Sequence, residues 1–306
     1  MTNRKTFLSI GECMIEMALM ENGDYRLGYA GDTLNTAWYT RALLPEESWN
    51  VAYYTRLGPD VYSAKMRGFL ESNGIDASFI TMDQARQPGL YLIDIYNGER
   101  SFTYWREQSA ARLLADDENA LGQAMDHADI IYFSGITLAI LTPEKRRTFV
   151  QMVAEQRARG KTTVFDPNAR PRLWESLDFL RQKTMKAAAA SSIVLPSFDD
   201  ETRIFGDADI DATAARYLDA GAGLAIVKNG GGDMLIAAEN DCTRLEALVR
   251  VDPVDTTGAG DSFNGAFLSA IAEGTALPDA AKKAHALASR VVMHRGALMP
   301  MADLRR

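Results

Sequence analysis

Cysteine and histidine are scarce in this chain, whose 306 residues include two cysteines and three histidines. Cys13 and Cys242 form neither a disulfide framework nor a metal-ligand spacing, and the histidines are scattered. A chain of this kind gives no reason to expect an oxidising compartment. A reducing, cytoplasmic location is therefore the simplest expectation.

Basic residues do not predominate either. The sequence has 33 lysines and arginines against 41 aspartates and glutamates, which gives a formal net charge of −8. General nucleic-acid binding needs a basic face, so this balance argues against a nucleic-acid partner. An anionic substrate would have to be bound by a few locally placed Arg and Lys side chains.

Long apolar runs are also missing. The longest uncharged segment, 130–142, is too short for the roughly 20 residues of a membrane span, and we interpret it as a buried strand that enters a loop. Near the N-terminus only Arg4 and Lys5 precede the apolar run 7–10, and Glu12 soon interrupts it. We therefore expect neither an export signal nor a membrane partner.

A nicotinamide-binding motif is absent from the place where a dehydrogenase would carry it. The first predicted strand, 6–10, ends at Gly11, and Glu12 follows in place of the Gly-x-Gly-x-x-Gly loop. Because that loop binds the pyrophosphate of the dinucleotide, its absence disfavours a nicotinamide enzyme.

The chain does contain enough apolar sequence, 47% of its residues, for one large α/β domain. From residue 129 onward predicted strands alternate with predicted helices, which favours a doubly wound, mostly parallel sheet flanked by helices. We predict a single domain over residues 1–306. Its last helix is expected over 278–295, and its ordered part is expected to end at 295–297.

The first half of the chain is predicted to contain further strands. Residues 14–29 are consistent with two short strands around a polar turn, and 51–57 with one core strand. Between 89 and 105, two apolar, aromatic-rich segments flank Asn97 and Gly98, a dipeptide that strongly favours a hairpin. A hairpin this apolar must cover something.

The stretch 254–263 has two glycines and an aspartate at the point where a polar turn becomes a helix. Phe263 and Phe267 follow at helical spacing, so Asp261 is predicted to lie at a helix N-terminus. Unpaired backbone N–H groups and the positive end of the helix dipole favour an anion there. Asp261 either caps this helix or accepts a proton from a hydroxyl that attacks a bound phosphoryl group.

These ten residues, Val-Asp-Thr-Thr-Gly-Ala-Gly-Asp-Ser-Phe, resemble the signature of the ribokinase-like (PfkB) carbohydrate kinases. The resemblance implies a ribokinase-like fold with a small β-sheet lid, formed by residues 14–30 and 88–106, over the sugar. It also implies ATP and Mg²⁺ as cofactors, with no individual metal ligand assigned.

The same resemblance implies roles for the residues of this stretch. Asp261 would be the catalytic base, and the amides of Gly258, Ala259 and Gly260 would stabilise the transferring phosphoryl group. An ordinary carboxylate pKa is expected to be adequate, because a loose phosphoryl-transfer transition state demands little of its base.

Within that family, several positions resemble the sugar-contacting positions of 2-keto-3-deoxygluconate kinases. They are Gly31, Asp32, Asn35, Tyr91, Tyr104, Arg106, Arg170 and Asp261. Ala30 replaces the first glycine of the family's Gly-Gly-x-x-x-Asn element. The alternatives are core packing for the aromatic residues and a solvated surface charge for Arg106.

Arg170 is a candidate ligand-binding residue even without the resemblance. It follows the predicted strand 162–165, at the edge where doubly wound sheets bind ligands, and its planar guanidinium suits a carboxylate or a phosphate. The resemblance places it between the sugar acid and the nucleotide phosphates, and we count it among the catalytic residues.

The nucleotide site is predicted from shorter matches. Its candidates are Asn168, Ser197, Lys228, Gly230, Gly232, Gly258, Gly260, His285 and Ser289. Lys228, Gly230 and Gly231 begin a stretch similar to the family's Lys-x-Gly-x-x-Gly loop, and a hairpin turn is the alternative. Ser197 takes the place of the Asn in an Asn-x-x-Glu element, where helix capping is the alternative. For His285 and Ser289 the alternative is ordinary helix packing.

The resemblance implies phosphorylation of the C6 hydroxyl of 2-keto-3-deoxygluconate by ATP. Two alternatives stay open: a kinase of another acceptor, such as fructose, ribose or adenosine, and a sugar sensor without turnover. Two guanidinium groups, those of Arg106 and Arg170, favour a sugar acid over a neutral sugar. The edge of the lid sheet suggests a homo-oligomer formed through the lid.

Overall fold

The computed structural model describes residues 4–20, 22–96 and 99–304. The strands are β1 (Lys5–Ile10), β2 (Met14–Leu19), β3 (Tyr25–Ala30), β4 (Trp49–Tyr54), β5 (Arg56–Leu57), β6 (Thr81–Met82), β7 (Leu90–Tyr96), β8 (Glu99–Trp105), β9 (Ile130–Ser134), β10 (Thr162–Asp166), β11 (Ile193–Val194), β12 (Leu224–Val227), β13 (Met234–Ala238) and β14 (Asp241–Leu245). The helices are α1 (Asp32–Leu43), α2 (Val61–Ser72), α3 (Glu118–His127), α4 (Gly135–Ile140), α5 (Pro143–Ala158), α6 (Leu177–Ala189), α7 (Phe198–Phe205), α8 (Ile210–Asp219), α9 (Ala259–Ala272), α10 (Leu277–Val291) and α11 (Met301–Leu304).

The main sheet has the strand order β14-β13-β12-β11-β10-β9-β1-β4, and its strands run parallel from β12 to β4. Strands β13 and β14 extend it antiparallel. Strands of this kind are buried on both faces: in β1, Phe7 packs in one apolar cluster and Leu8 in the other. The prediction of a doubly wound, mostly parallel sheet flanked by helices is confirmed.

A second sheet, here called the lid, has the order β3-β2-β7-β8. The strands predicted within 14–30 and 88–106 are present, although the hairpin turn at Asn97 and Gly98 lies outside the described residues. Strands β2 and β7 are parallel, and the two outer pairs are antiparallel. A small apolar cluster that includes Met14, Tyr91 and Ala297 joins the lid to the C-terminal segment.

Helices α1 and α9 pack against each other and bring their N-termini to the same place. Gly265 permits the close approach, because a β-carbon there would lie 2.7 Å from Cβ of Tyr39 and 2.9 Å from the carbonyl oxygen of Thr36. Phe263 and Phe267 are buried with their rings stacked, as their spacing predicts. Among the described residues, no helix combines the length and apolarity needed to cross a bilayer.

Two predicted elements in the first half of the sequence are wrong. Residues 51–57 do not form one strand, because the chain leaves the main sheet after β4 and Arg56 and Leu57 pair with β6 instead. Residues 130–142 contain β9 followed by helix α4, not by a loop. Ser134 starts that helix, with a capping box formed with Thr137, and the helix is too short to show a hydrophobic period.

The C-terminal end is also predicted wrongly. Helix α10 ends at Val291, earlier than expected, and the ordered chain continues past 297 to α11. Contacts with α1 hold this segment in place: the hydroxyl of Tyr39 donates to the carbonyl oxygen of Ala297 at 2.6 Å, and Trp38 Nε1 donates to that of Met299 at 2.8 Å. The contacting residues are far apart in the sequence, so no local pattern predicts these contacts.

Candidate active site

The turn before α9 has a fixed and unusual backbone. Gly258 has a φ of 79°, and a β-carbon there would lie 2.7 Å from the carbonyl oxygen of Ala297. Asp255 ties both sides of this contact together, since its Oδ1 accepts from the amide of Thr257 at 3.1 Å and its Oδ2 from that of Gly296 at 2.6 Å. Only glycine suits such a position. The turn therefore presents the first amides of α9 in one defined orientation.

Asp261 lies in the first turn of α9, partly exposed, with Asn35 of α1 beside it. Asn35 Nδ2 donates to Oδ2 of Asp261 at 2.7 Å. Burial of the carboxyl group, followed by the negative charge of Asp32, raises the pKa of Asp261 to about 8, although the Asn35 hydrogen bond opposes the shift. The pKa of Asp261 in the ligand-free protein is thus higher than that of an ordinary carboxylate, and the adequacy of an ordinary pKa for the base stays a prediction. A carboxylate with this pKa is a stronger proton acceptor than an ordinary one.

Asp32 is the second carboxylate of the site and lies at the start of α1. Asn168 Nδ2 donates to its Oδ2 at 2.7 Å, and the amide of Thr33 donates to its Oδ1 at 2.9 Å. Asn168 itself has a φ of 33°, a conformation that Asn tolerates better than most residues. We predicted Asn168 as a nucleotide contact, but its side chain binds Asp32, on the predicted sugar side.

Lys228 follows β12 and is buried next to the turn. Its Nζ lies 3.0 Å from Oδ1 of Asn264 and 3.4 Å from Oδ2 of Asp166, and Asn264 Nδ2 donates to the same Asp166 oxygen at 2.6 Å. A β-carbon at Gly260 would lie 3.7 Å from this ammonium nitrogen. The positive charge predicted for the nucleotide site therefore lies beside the amides at the start of α9.

The lid brings three predicted substrate residues together. Tyr91 and Tyr104 are opposite each other on β7 and β8 with ring centroids 5.6 Å apart, and Arg106 lies over the Tyr104 ring at 5.9 Å. Tyr104 is half exposed, whereas Tyr91 is buried and donates its hydroxyl to Glu16. Arg106 is buried too and forms an ion pair with Glu12, so a solvated surface charge is the wrong description of it.

Arg170 lies in the loop after β10. Its guanidinium is half exposed and lies 3.7 Å from Asp200, at the start of α7. Burial raises the pKa of Tyr104, while the charges of Arg106 and Arg170 oppose that shift. Both guanidinium groups therefore lie near enough to the Tyr104 phenol to affect its pKa, so the loop after β10 lies close to the lid.

The far end of the same loop is anchored. Trp174 is buried, and the guanidinium of Arg146 lies over its ring at 4.5 Å from the centroid. Arg146 also donates to the carbonyl oxygens of Leu138 and Leu141, at 2.7 and 2.9 Å, and so caps the end of α4. Trp174 thus anchors this end of the loop against Arg146.

The remaining nucleotide candidates lie on the other side of Lys228. The strand bridge between Ser197 and Lys228 and a 2.8 Å bond from the amide of Phe198 to the Lys228 carbonyl join α7 to β12. Gly230 has a φ of 52°, and the amide of Gly232 closes a turn onto the carbonyl of Asn229 at 2.7 Å, before β13 returns. The hairpin interpretation is therefore confirmed, and the nucleotide contact of this turn, with which a hairpin is compatible, stays a prediction.

The last two nucleotide candidates, His285 and Ser289, lie on α10. His285 is buried, and its Nε2 lies 2.7 Å from the carbonyl oxygen of Val249, so this nitrogen serves packing. Ser289 is partly exposed on the same helix. Their contact with a nucleotide stays a prediction.

Sequence reasoning missed four polar residues of the site: Glu12, Glu16, Asp166 and Asn264. The signal for the carboxylates was the presence of charged residues within apolar strand segments or directly beside them, since buried carboxylates need partners. Asn264 follows the ten-residue stretch directly, but nothing in its neighbours showed that it would contact Asp166 and Lys228. Within the described residues, no group of three or more His, Cys, Asp and Glu side chains could hold a metal ion.

Comparison with known proteins gives consistent matches. The family model described as pfkB family carbohydrate kinase matches residues 4–303. A 2-dehydro-3-deoxygluconokinase of Dickeya dadantii is 36% identical over 303 residues, 97% of each chain. One from Escherichia coli K12 is also 36% identical, over 307 residues and 97% of each chain.

Solved structures agree with the fold. The crystal structure of aminoimidazole riboside kinase from Salmonella enterica, complexed with aminoimidazole riboside and an ATP analog, superposes with a TM-score of 0.81. The two share 23% sequence identity, over 97% of this chain and 96% of the other.

Proposed function

Because this chain belongs to the pfkB family of carbohydrate kinases, we propose that it transfers the γ-phosphoryl group of ATP to the C6 hydroxyl of 2-keto-3-deoxygluconate, also called 2-dehydro-3-deoxygluconate. The observation that carries the proposal is the placement of Asp261 at the start of α9, next to amides fixed by Gly258. A proton acceptor beside an anion-binding helix end is what phosphoryl transfer to an alcohol requires.

In this reaction Asp261 takes the proton of the C6 hydroxyl. The hydroxyl oxygen then forms a bond to the γ-phosphorus, the bond from that phosphorus to the β–γ bridging oxygen breaks, and ADP leaves. The amides of residues 258–260 and the ammonium group of Lys228 stabilise negative charge on the transferring group. Asn35 holds the acceptor oxygen of Asp261 in a fixed position.

Arg106 and Arg170 recognise the carboxylate of the sugar acid in this proposal. Both guanidinium groups lie within electrostatic range of Tyr104, and Arg170 is exposed enough to meet a ligand from the loop side. A planar guanidinium binds a carboxylate through two parallel hydrogen bonds, which a neutral sugar cannot provide. Tyr104, with its exposed ring, covers the apolar face of the sugar.

Mg²⁺ fits this site as a companion of the phosphates. The described residues contain no cage of three acidic or His ligands, and Mg²⁺ in kinases commonly keeps several waters and binds substrate phosphates. Asp166 and Asp200 are the carboxylates at this edge of the sheet that would hold its water shell. When bound, the ion neutralises charge on the β- and γ-phosphates.

Replacing Arg106 with alanine tests the acceptor class. We expect KM for 2-keto-3-deoxygluconate to rise about 10- to 100-fold, the loss expected for a charged hydrogen bond. KM for ATP should stay within about twofold, because Arg106 lies on the lid side of the cleft. Initial rates in a coupled ADP-release assay measure both constants, with D-fructose as a neutral acceptor.

Arg172→Ala is the matched control, since Arg172 is exposed in the same loop as Arg170. It should leave all constants unchanged. If Arg106→Ala lowers kcat/KM for the sugar acid and for fructose by the same factor, the sugar acid is not the substrate. ATP consumption with any acceptor excludes a sugar sensor without turnover.

We also propose that the protein is a homo-oligomer assembled through the lid. Tyr25, Leu27 and Trp105 are exposed apolar side chains on one face of this sheet, and Trp105 is 56% exposed. Exposed apolar groups on a small sheet favour association. Trp105→Glu is expected to halve the mass measured by light scattering at micromolar concentration. An unchanged mass would place the contact elsewhere.

The cytoplasm is the compartment in which we expect this reaction. ATP is available there, and both cysteines of the chain are free thiols, as they would remain in a reducing compartment.

A further inference from the structure

The four chain segments that connect the lid to the rest of the protein meet at Glu12. Glu12 itself lies between β1 and β2. A β-carbon at Gly31, between β3 and α1, would lie 2.3 Å from the carbonyl oxygen of Glu12, and one at Gly89, before β7, would lie 2.9 Å from its Oε1. The fourth segment begins at Arg106, directly after β8, and its guanidinium pairs with Glu12. Glu12 therefore contacts every crossing between the two sheets.

The Glu12–Arg106 ion pair is buried, with side-chain exposures of 1% and 9%. Oε1 of Glu12 and Nε of Arg106 have no hydrogen-bond partner among the described residues. A buried ion pair with unsatisfied atoms gives little net stability, and apolar residues of similar volume often serve the fold as well or better. Folding alone thus gives a weak reason for a carboxylate at this place.

We propose that Glu12 is a positioning residue for substrate recognition, which holds the Arg106 guanidinium in the orientation that binds the carboxylate of the sugar acid. This inference rests on the proposed function, in which Arg106 contacts that carboxylate. An arginine side chain has several rotatable bonds, and fixing it before the ligand arrives removes an entropy cost from binding. Among the described residues, Arg106 pairs with Glu12 through one guanidinium nitrogen, Nη2, which leaves other N–H groups for a second carboxylate.

Glu12→Ala and Glu12→Gln test the inference together. With Glu12→Ala the anchor is lost, and we expect KM for 2-keto-3-deoxygluconate to rise about tenfold or more, as for loss of a charged hydrogen bond, with KM for ATP unchanged. Glu12→Gln keeps the shape and one acceptor oxygen, so at least half of the loss in binding, on a logarithmic scale, should be recovered. If Glu12→Gln raises KM for the sugar acid as much as Glu12→Ala does, positioning of Arg106 by a hydrogen bond is overturned.

A second buried pair provides the control for a merely structural effect. Glu201 is 1% exposed and pairs with Arg216 at 2.7 Å, away from the lid. Glu201→Ala should lower the melting temperature without moving KM for the sugar acid. If both alanine variants raise that KM equally, Glu12 acts on the fold and the inference is overturned.

The double variant Glu12→Gln/Arg106→Ala separates this inference from the proposed function. If Glu12 acts through Arg106, Glu12→Gln causes no further rise in KM once Arg106 is absent. A further rise would overturn the positioning role. If Arg106→Ala alone leaves KM unchanged, the proposed function of Arg106 fails first. If Arg106→Ala raises KM for the sugar acid as expected and neither Glu12 variant changes that KM, the positioning role of Glu12 is overturned while the proposed function stands.

Discussion

Asp261→Asn is expected to lower kcat about 10²- to 10⁴-fold, the contribution typical of a general base, with KM for ATP within about threefold of the native value. Asparagine has nearly the same shape and still accepts a hydrogen bond from Asn35, so the site keeps its geometry. Only the ability to accept the C6 proton is lost. Steady-state kinetics with 2-keto-3-deoxygluconate, beside a melting curve, measures the effect. A loss of less than tenfold in kcat would remove Asp261 from the role of base.

The same variant is expected to change how stability depends on pH. The pKa of Asp261 is about 8 in the folded protein and near the ordinary value of 3.8 when unfolded. Between these values the folded state binds more protons than the unfolded state, so the free energy of unfolding contributed by this group falls as pH rises. Asp261→Asn removes that decline and should be more stable than the native protein at neutral pH.

The pH dependence of the native enzyme's activity is a second test of the raised pKa of Asp261. Because the base must be ionised, kcat/KM should rise with pH up to about 8 in the ligand-free enzyme. Denaturant unfolding of both proteins at pH 5 and pH 8.5 completes the comparison. Identical pH profiles of stability for the two proteins would contradict the raised pKa.

Gly260→Ala is expected to separate activity from stability. Gly260 lies in the first turn of α9, and the nearest atom that a β-carbon there would meet outside the local helix is Nζ of Lys228, at an ordinary contact distance of 3.7 Å. Alanine is up to about 1 kcal/mol better than glycine within a helix, so stability should hold or rise. The new methyl group would occupy the space next to Lys228 where we place the phosphoryl group. We expect kcat/KM for ATP to fall about 10²-fold, as for a reacting group displaced by an ångström.

Two other glycine-to-alanine variants serve as comparisons for Gly260→Ala. Gly258→Ala should lose both stability and activity, because its φ of 79° and the nearby Ala297 carbonyl leave no room for a β-carbon. Gly68→Ala, in α2 with nothing within 4 Å, should gain helix stability and keep full activity. If Gly260→Ala retains native kcat/KM for ATP, the phosphoryl group does not bind against this turn.

The fold was largely predictable because its signals are local. The strand and helix order from β9 onward follows from apolar runs, caps such as Thr142 and the glycine stop at Gly160. Some short elements were not predicted, because they have no local signal in the sequence. Helix α4 has six residues, too few for a period, and α11 is held by α1.

The site was predictable where one residue type fits one chemistry, as at Gly258 and Asp261. Its partners were not, because they come from distant parts of the chain: Asn35 meets Asp261 across 226 positions, and Arg106 meets Glu12 across 94. The raised pKa of Asp261 is a further example, since burial and the nearby Asp32 cause it. Such properties arise from tertiary packing and have no signal in a sequence window.

The contact between Gly258 and Ala297 has a consequence for synthesis of the protein. The turn is braced by Asp255 against the amide of Gly296, and the following residues are tied to α1. Translation delivers the N-terminal strands first, so most of the main sheet can assemble while the chain is still attached to the ribosome. The brace cannot close until residues 296–299 have left the exit tunnel. Before that point the nascent chain lacks the ordered turn at the start of α9, and ATP consumption by the chain requires that turn.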